Sequence, residues 1–334
     1  MGLSLKSGRT LFVLVLSYTD TARIPGITVA GATPQDTIYT PPADAELIHY
    51  GHCISIPGLP MTPDGKPTPA LLTRAALLHA DIPYIVVDAG CVIPPRMPHI
   101  HTGIKPGKNI EAGPAMSHVD ATHTIQSGEY MGRTLSSLCD NLIIGESIPG
   151  GTTTALALLR GLNLQYMVSS SMPDNPVQIK ERVASAATSR LNMDTYMDVA
   201  VQTADPMILF VAGMLNSTSS NIILAGGTQM LAVLALATKM GHNTKNTMLA
   251  TTTYVADDPD ISFYRQAELF GVSIVSVRPH LENSKHAGIR AYTEGFAKEG
   301  AGAGGAIHAA QTIRGDKILP YIDREYDNIL HKCG

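Results

Sequence analysis

A glycine turn joining a buried strand to a helix is the strongest constraint in this 334-residue chain. It lies in Leu142–Leu159, LIIGESIPGGTTTALALL. Leu142, Ile143 and Ile144 form a short apolar run closed by Gly145, which suits a central parallel strand. Gly150 and Gly151 permit backbone conformations that a Cβ disfavours. Thr152, Thr153 and Thr154 are candidate N-caps for the apolar helix that follows. Such a turn presents unpaired N–H groups and the positive end of a helix dipole, a ready place for a phosphate. The spacing Gly145–Gly150 matches a Walker A loop, but Gly151 stands where that motif needs Lys. The stretch is not GxGxxG either. Glu146 sets it apart. A carboxylate there repels phosphate, so it is expected to face another part of a substrate. A strand–turn–helix corner with a solvated Glu is the simpler alternative.

The rest of the chain extends this pattern. Hydrophobic residues make up 44% and charged residues only 16%, which indicates a well-buried globular protein. With no Trp and only 5 Phe, its core must come from aliphatic residues and Met. A formal charge of −4 gives no reason to expect nucleic acid as a partner. The early apolar run Leu11–Leu16 is too short to span a bilayer and reads as a first strand. Cys53, Cys91, Cys139 and Cys333 are widely spaced without a CxxC, which suggests reduced thiols in a cytoplasmic protein.

From about residue 82 onward, strands and helices alternate. Strands are expected at Tyr84–Val87, Leu142–Ile144, Leu164–Ser169, Asn221–Leu224, Thr247–Val255 and Val272–Val277. Helices are expected at Pro69–Ala80, Glu129–Leu138, Pro176–Leu191, Thr195–Gln202, Pro206–Leu215, Gln229–Lys239, Ser262–Phe270, His286–Phe296 and Gly304–Ile313. This order predicts an α/β fold: a doubly wound, mainly parallel sheet, Rossmann-like, with helices on both faces. The chain reads as one catalytic unit over 1–334. Its sheet core spans about 80–280, and a smaller lid or cap part comes from about 17–70 and 283–334. Ligands in such folds bind at the carboxyl ends of the strands. That gathers Asp88, the 145–154 turn, Ser169–Ser171, Gly226–Gly227 and Asp257 on one edge. The Gly-, Pro- and Thr-rich segment Ile24–Asp44 is long enough to line or cover a site.

A second informative stretch is Gly295–Ala306, GFAKEGAGAGGA. Glu299 precedes small residues that leave room for a flat ligand, and a carboxylate there is suited to accept a proton from a ring nitrogen. A glycine hinge with an incidental Glu is the plainer reading. Together the two stretches resemble the nicotinate-nucleotide–dimethylbenzimidazole phosphoribosyltransferase family. Its bacterial members carry a segment like GEMGIGNTT, to which Gly145–Thr153, GESIPGGTT, is similar. They carry a later segment like RLGEGTGAA, which Ala297–Gly305, AKEGAGAGG, resembles. Between these, the features keep their order: Ser169–Ser171, then Lys180, Gly226–Gly227, Asp257 or Asp258, and the turn His280–Gly288. The segment from Ile24 to Glu46 resembles the start of the archaeal and cyanobacterial branch. GNTT is GGTT here, and Thr228 and Gln229 follow the double glycine where bacterial enzymes often place a nearby Glu. The first hundred residues depart from the bacterial pattern, which leaves the acceptor base open.

The resemblance implies transfer of ribose 5-phosphate from nicotinate mononucleotide to a benzimidazole-type base, forming an α-ribazole phosphate for cobalamin lower-ligand synthesis. It implies Glu299 as general base and Glu146 on the ribose side. Phosphate contacts are expected from Gly150, Gly151 and Thr152, with Lys180 supplying countercharge. Ser170, Gly226, Gly227 and Asp257 are expected in the same pocket. No pyrophosphate leaves, so neither a metal nor another cofactor is expected. The family is homodimeric. Two other readings stay open. One is a non-catalytic nucleotide-binding protein. The other is a metal-dependent hydrolase built on His-rich loops, because His99 and His101 form an HxH pair with His49, His52, His118 and His123 in the same half. For that reading, no carboxylate sits at a metal-motif spacing.

Overall fold

The computed structural model describes residues 5, 7–62, 65–191, 195–315 and 317–333. Residues 63 and 64, within the cap part expected from about 17–70, thus lie outside the described residues. The chain opens with β1 (Thr10–Leu16), α1 (Thr40–Tyr50), α2 (Ala70–Ala80), β2 (Tyr84–Asp88) and β3 (Ile100–His101). It continues through α3 (His118–Ser136), β4 (Asn141–Ser147), α4 (Gly151–Gly161), α5 (Val177–Thr188), α6 (Tyr196–Thr203) and α7 (Pro206–Ser217). Next come β5 (Asn221–Ala225), α8 (Thr228–Lys239), β6 (Thr247–Thr252), α9 (Thr253–Ala256), α10 (Phe263–Glu268) and β7 (Ser273–Val277). The chain closes with α11 (Ala287–Arg290), α12 (Ala303–Arg314) and α13 (Leu319–Cys333).

Among the described residues, seven strands form one sheet in the order β3-β2-β1-β4-β5-β6-β7, and each pairing in it is parallel. This is the doubly wound α/β fold expected from the strand–helix alternation. Both faces are covered, so the central strands β1, β4 and β5 are largely apolar. Their alternation still sorts residues between two cores. Val13, Val15, Leu142, Ile144, Ile222 and Leu224 join the core of one face, with α4, α7 and α8. Phe12, Leu14, Leu16, Ile143, Ile223 and Met248 join the other, with α2 and α12. Because β1 lies between β2 and β4, the sheet begins well before residue 80. The strand order reverses direction between β1 and β4. A doubly wound sheet opens a ligand crevice at such a point.

Several elements differ from the sequence expectations. Leu164–Ser169 is not a strand, because β4 pairs directly with β5 and leaves no slot between them. Side chains hold that segment instead: Ser169 N donates to Thr228 Oγ1 (3.0 Å), and Asn175 Nδ2 donates to the Val168 carbonyl (2.8 Å). β4 runs on past Gly145 to Ser147, since β1 pairs with it along its whole length. Thr247–Val255 is strand only to Thr252 and then turns into α9. The helix expected over Glu129–Leu138 begins at His118, where Ser117 caps the Asp120 N–H at 3.1 Å. His286–Phe296 breaks into the four-residue α11 and a 3-10 turn. Helix α13 has no counterpart among the sequence expectations. It packs on α2 in the layer that also holds α1 and α12.

Candidate active site

At the carboxyl ends of β4 and β6 lies a cavity of about 770 Å³, a size suited to a small-molecule ligand. Its walls come from Ile27–Ala32, Ser55–Pro57, Leu59–Thr62, Glu146–Thr152, Ser169–Ser171 and Ala297–Ala301. The two Glu-Gly stretches meet there because their backbones nearly touch. A Cβ on Gly145 would sit 2.8 Å from the Gly302 Cα and 2.9 Å from the Phe12 ring. Gly302 has φ 73° and caps α12. Only glycine at both positions lets the start of α12 lie on β4 this closely.

That contact places Glu299. Its Oε2 accepts from the Thr252 N–H (2.9 Å) and from Thr251 Oγ1 (3.4 Å). Its Oε1 accepts from the N–H groups of Gly304 (3.1 Å) and Gly300 (3.3 Å). Burial pushes its pKa up to about 7, against the pull of these donors. A carboxyl that titrates near neutrality and faces a cavity is suited to general base work.

Glu146 lies on β4 beside Val15 of β1 and is 4% exposed. Burial raises its pKa to about 8, and repulsion from Asp205, Glu299 and Asp44 adds to the effect. Glu146 is therefore protonated near neutrality and offers a hydrogen-bond donor as well as an acceptor. Asp44 also lines the cavity, accepting from Thr68 Oγ1 and Ser147 Oγ, both at 2.7 Å. Asp205 caps α7 through the Ile208 N–H (3.0 Å) and accepts a hydrogen bond from Thr154 Oγ1. Burial raises both aspartates to about 6.

The glycine turn lines the cavity as well. Gly150, at φ 75°, is the N-cap of α4, and Gly151 begins the helix. The cap is therefore glycine backbone and not a threonine side chain. Thr154 instead donates to Asp205 and the Gly151 carbonyl. Gly150, Gly151 and Thr152 all line the cavity. The eleven-residue α4 therefore starts, positive end first, at the cavity.

Of the other expected residues, Ser170 and Gly227 line the cavity, but Lys180, Gly226 and Asp257 do not. Lys180 is buried behind the wall, donating from Nζ to the Ser169 carbonyl (2.8 Å) and Asn175 Oδ1 (2.9 Å). Burial brings its pKa down to about 7, with repulsion from Lys298 adding to it. Its contacts therefore shape the Ser169–Ser171 wall from behind. Gly226 is turned toward Met230, whose side chain would meet an added Cβ at 3.0 Å. Asp257 is exposed. Its neighbour Asp258 reaches the site indirectly, pairing with Lys298 Nζ at 2.8 Å. Among the described lining residues, Lys298 is the one Lys or Arg. Sequence reasoning missed Lys298, though it stands next to Glu299, and missed Asp44, though it closes the segment Ile24–Asp44 expected to line a site. Asp205 gave no sequence signal beyond its place before Pro206.

A family model described as phosphoribosyltransferase, DBI_PRT, matches residues 73–256, more than half of the chain. The chain belongs to this phosphoribosyltransferase family. The matched region holds Glu146 and the Gly150–Thr152 turn and ends before Glu299. Among its relatives, a UPF0284 protein of Archaeoglobus fulgidus is 44% identical, covering 98% of this chain and 96% of that protein. A UPF0284 protein of Sulfurisphaera tokodaii is 40% identical, covering 97% and 95%. Among solved structures, the nicotinate-nucleotide-dimethylbenzimidazole phosphoribosyltransferase of Thermus thermophilus superposes with a TM-score of 0.65 at 18% identity. That superposition covers 97% of this chain and 83% of the Thermus chain. At that identity the likeness is one of fold.

Proposed function

We propose that this phosphoribosyltransferase moves ribose 5-phosphate from nicotinate mononucleotide to a benzimidazole-type base. The observation that carries the reading is the placement of Glu299 on the cavity, fixed by backbone N–H groups and poised near neutrality. The incoming base gives its ring N–H proton to Glu299, and the lone pair on its other ring nitrogen attacks the anomeric carbon. The bond from that carbon to the pyridinium nitrogen breaks, and its electron pair leaves with nicotinate. Positive charge grows on the ribose as this happens. The carboxyls of Glu146 and Asp44 supply preorganised dipoles for it. Glu146 also serves as the ribose hydroxyl partner. The start of α4 holds the phosphate through the Gly151 and Thr152 N–H groups, with Lys298 taking the countercharge role expected of Lys180. The family resemblance extends the proposal to a homodimer acting in the cytoplasm. Among the described residues, no helix is long and apolar enough to cross a membrane.

The test is a direct assay. Purified protein is incubated with nicotinate mononucleotide and dimethylbenzimidazole, and nicotinate and α-ribazole phosphate are separated by chromatography. Equimolar appearance of both supports the reading. Nucleotide binding by calorimetry without turnover on any benzimidazole or adenine would replace it with a non-catalytic binder.

A further inference from the structure

We propose that Asp88, His99 and His101 form a binding site for one divalent cation of the zinc class, at the edge of the sheet and outside the nucleotide cavity. Each residue offers one ligand atom, and the three atoms lie within 4.8 Å of one another. None of the three lines the cavity.

The fold builds this cluster. In the parallel pairing of β2 with β3, Asp88 is the register partner of His101. Thr102 secures the pairing, donating to the Asp88 carbonyl from its N–H (3.2 Å) and its Oγ1 (2.7 Å). The carboxyl of Asp88 is 3% exposed. Its Oδ1 accepts from the N–H groups of Gly90 (3.0 Å) and Cys91 (2.8 Å), which turns Oδ2 toward His101. Oδ2 lies 3.0 Å from His101 Nδ1. Two donors that share one cation at about 2.0–2.2 Å stand roughly this far apart.

His99 carries the second sign. Its Nδ1 lies 2.8 Å from the Met97 carbonyl. A carbonyl only accepts, so Nδ1 is the donor there and Nε2 is the ring nitrogen left to bind a cation. A ring fixed by donating its other N–H to a carbonyl is the usual outer support of a metal-binding histidine. Two imidazoles and one carboxylate select zinc-like ions over magnesium or calcium, which prefer oxygen. They leave a coordination position for water, and the 65% exposed His101 side chain gives a path of entry.

The cation would replace the hydrogen bond between His101 and Asp88 and clip the two-residue β3 to β2. The loop after β3 reaches the end of β1, where Gly107 N donates to the Tyr18 carbonyl and Asp20 N to the Gly107 carbonyl, both at 2.8 Å. The clip therefore supports a segment next to the cavity without entering the chemistry.

The test uses the untagged full chain, stripped with chelator and dialysed. Zn²⁺ is titrated by calorimetry, and Co²⁺ is followed by its visible d–d absorption. The expected result is one equivalent bound, a rise in Tm with Zn²⁺, and absorption bands of a four- or five-coordinate Co²⁺. Because loss of an outer partner alone costs about 10–100-fold in affinity, His99→Gln and His101→Gln should each weaken binding by about 100-fold or more. Both residues lie at the surface edge of the sheet, and circular dichroism checks the fold of each variant. No binding, unchanged affinity in both variants, or equal affinity for Mg²⁺ would overturn the proposal.

Discussion

Substituting Glu299 by Gln keeps the shape of the side chain and removes the proton-accepting oxygen. Because a placed general base is worth roughly 10²–10⁴-fold, Glu299→Gln should lose about that much turnover. Nucleotide affinity should stay within about threefold by calorimetry, and an equal loss of affinity would contradict the role. The two lysines separate in the same way. Lys298 lines the cavity and Lys180 does not. Lys298→Met should raise the KM for the nucleotide by at least about tenfold, a loss of roughly 1.4 kcal/mol, as expected for a charge-assisted contact to phosphate. Lys180→Met removes the partner of the buried Ser169 carbonyl. Its first effect should be a lower Tm, by roughly 1–3 kcal/mol of stability. If Lys180→Met shifts KM at unchanged Tm, the assignment of the two lysines is reversed.

At the scale of elements, the site depends on how closely α12 approaches β4. A Cβ on Gly145 meets the backbone of Gly302 and the buried ring of Phe12, so relief requires movement of the loop that carries Glu299. Gly145→Ala should cost about 1–3 kcal/mol by overpacking. It should also lower kcat, because Glu299 moves with Gly302. Thermal melting and turnover measured on one preparation check both parts. Unchanged kcat with a reduced Tm would show that the Glu299 loop is held independently of this contact.

For the whole molecule, the buried carboxyls predict a particular pH dependence. The pKa of Glu146 is about 8 in the folded protein, above its usual value of 4.5. The folded state therefore binds the proton more tightly than the unfolded chain. This contribution is fully present below pH 4.5 and is lost as pH rises through 8. Glu299, at about 7, acts in the same direction. Lys180, lowered to about 7 from 10.5, acts oppositely: it costs stability below pH 7, and the cost fades as pH rises toward 10.5. The clean measurement is a difference. Tm is followed from about pH 5 to 9 in wild type and Glu146→Gln, which share Lys180. The variant should lose less stability, or gain more, across that range. Parallel curves would mean that Glu146 does not titrate within it.

Apolar runs and glycine punctuation by themselves determined the fold class, the alternation of strand and helix, and the two Glu-Gly stretches. These are local properties: a buried parallel strand, a glycine turn and a helix start are each specified within a few neighbouring residues. That Gly150, Gly151, Thr152, Glu146 and Glu299 line one cavity was legible for that reason. Which cation faces the cavity was decided only in three dimensions. Lys180 and Lys298 are equivalent as letters, and the packing of the segment after α4 buries one while the chain entering α12 turns the other to the cavity. Asp44 and Asp205 join the carboxyl cluster from distant parts of the chain, so no spacing announces them. The same holds for Asp88, which reaches His101 only through the pairing of β2 with β3. Leu164–Ser169 has the composition of a strand but finds no edge to pair with, because backbone hydrogen bonds are allotted by the whole sheet.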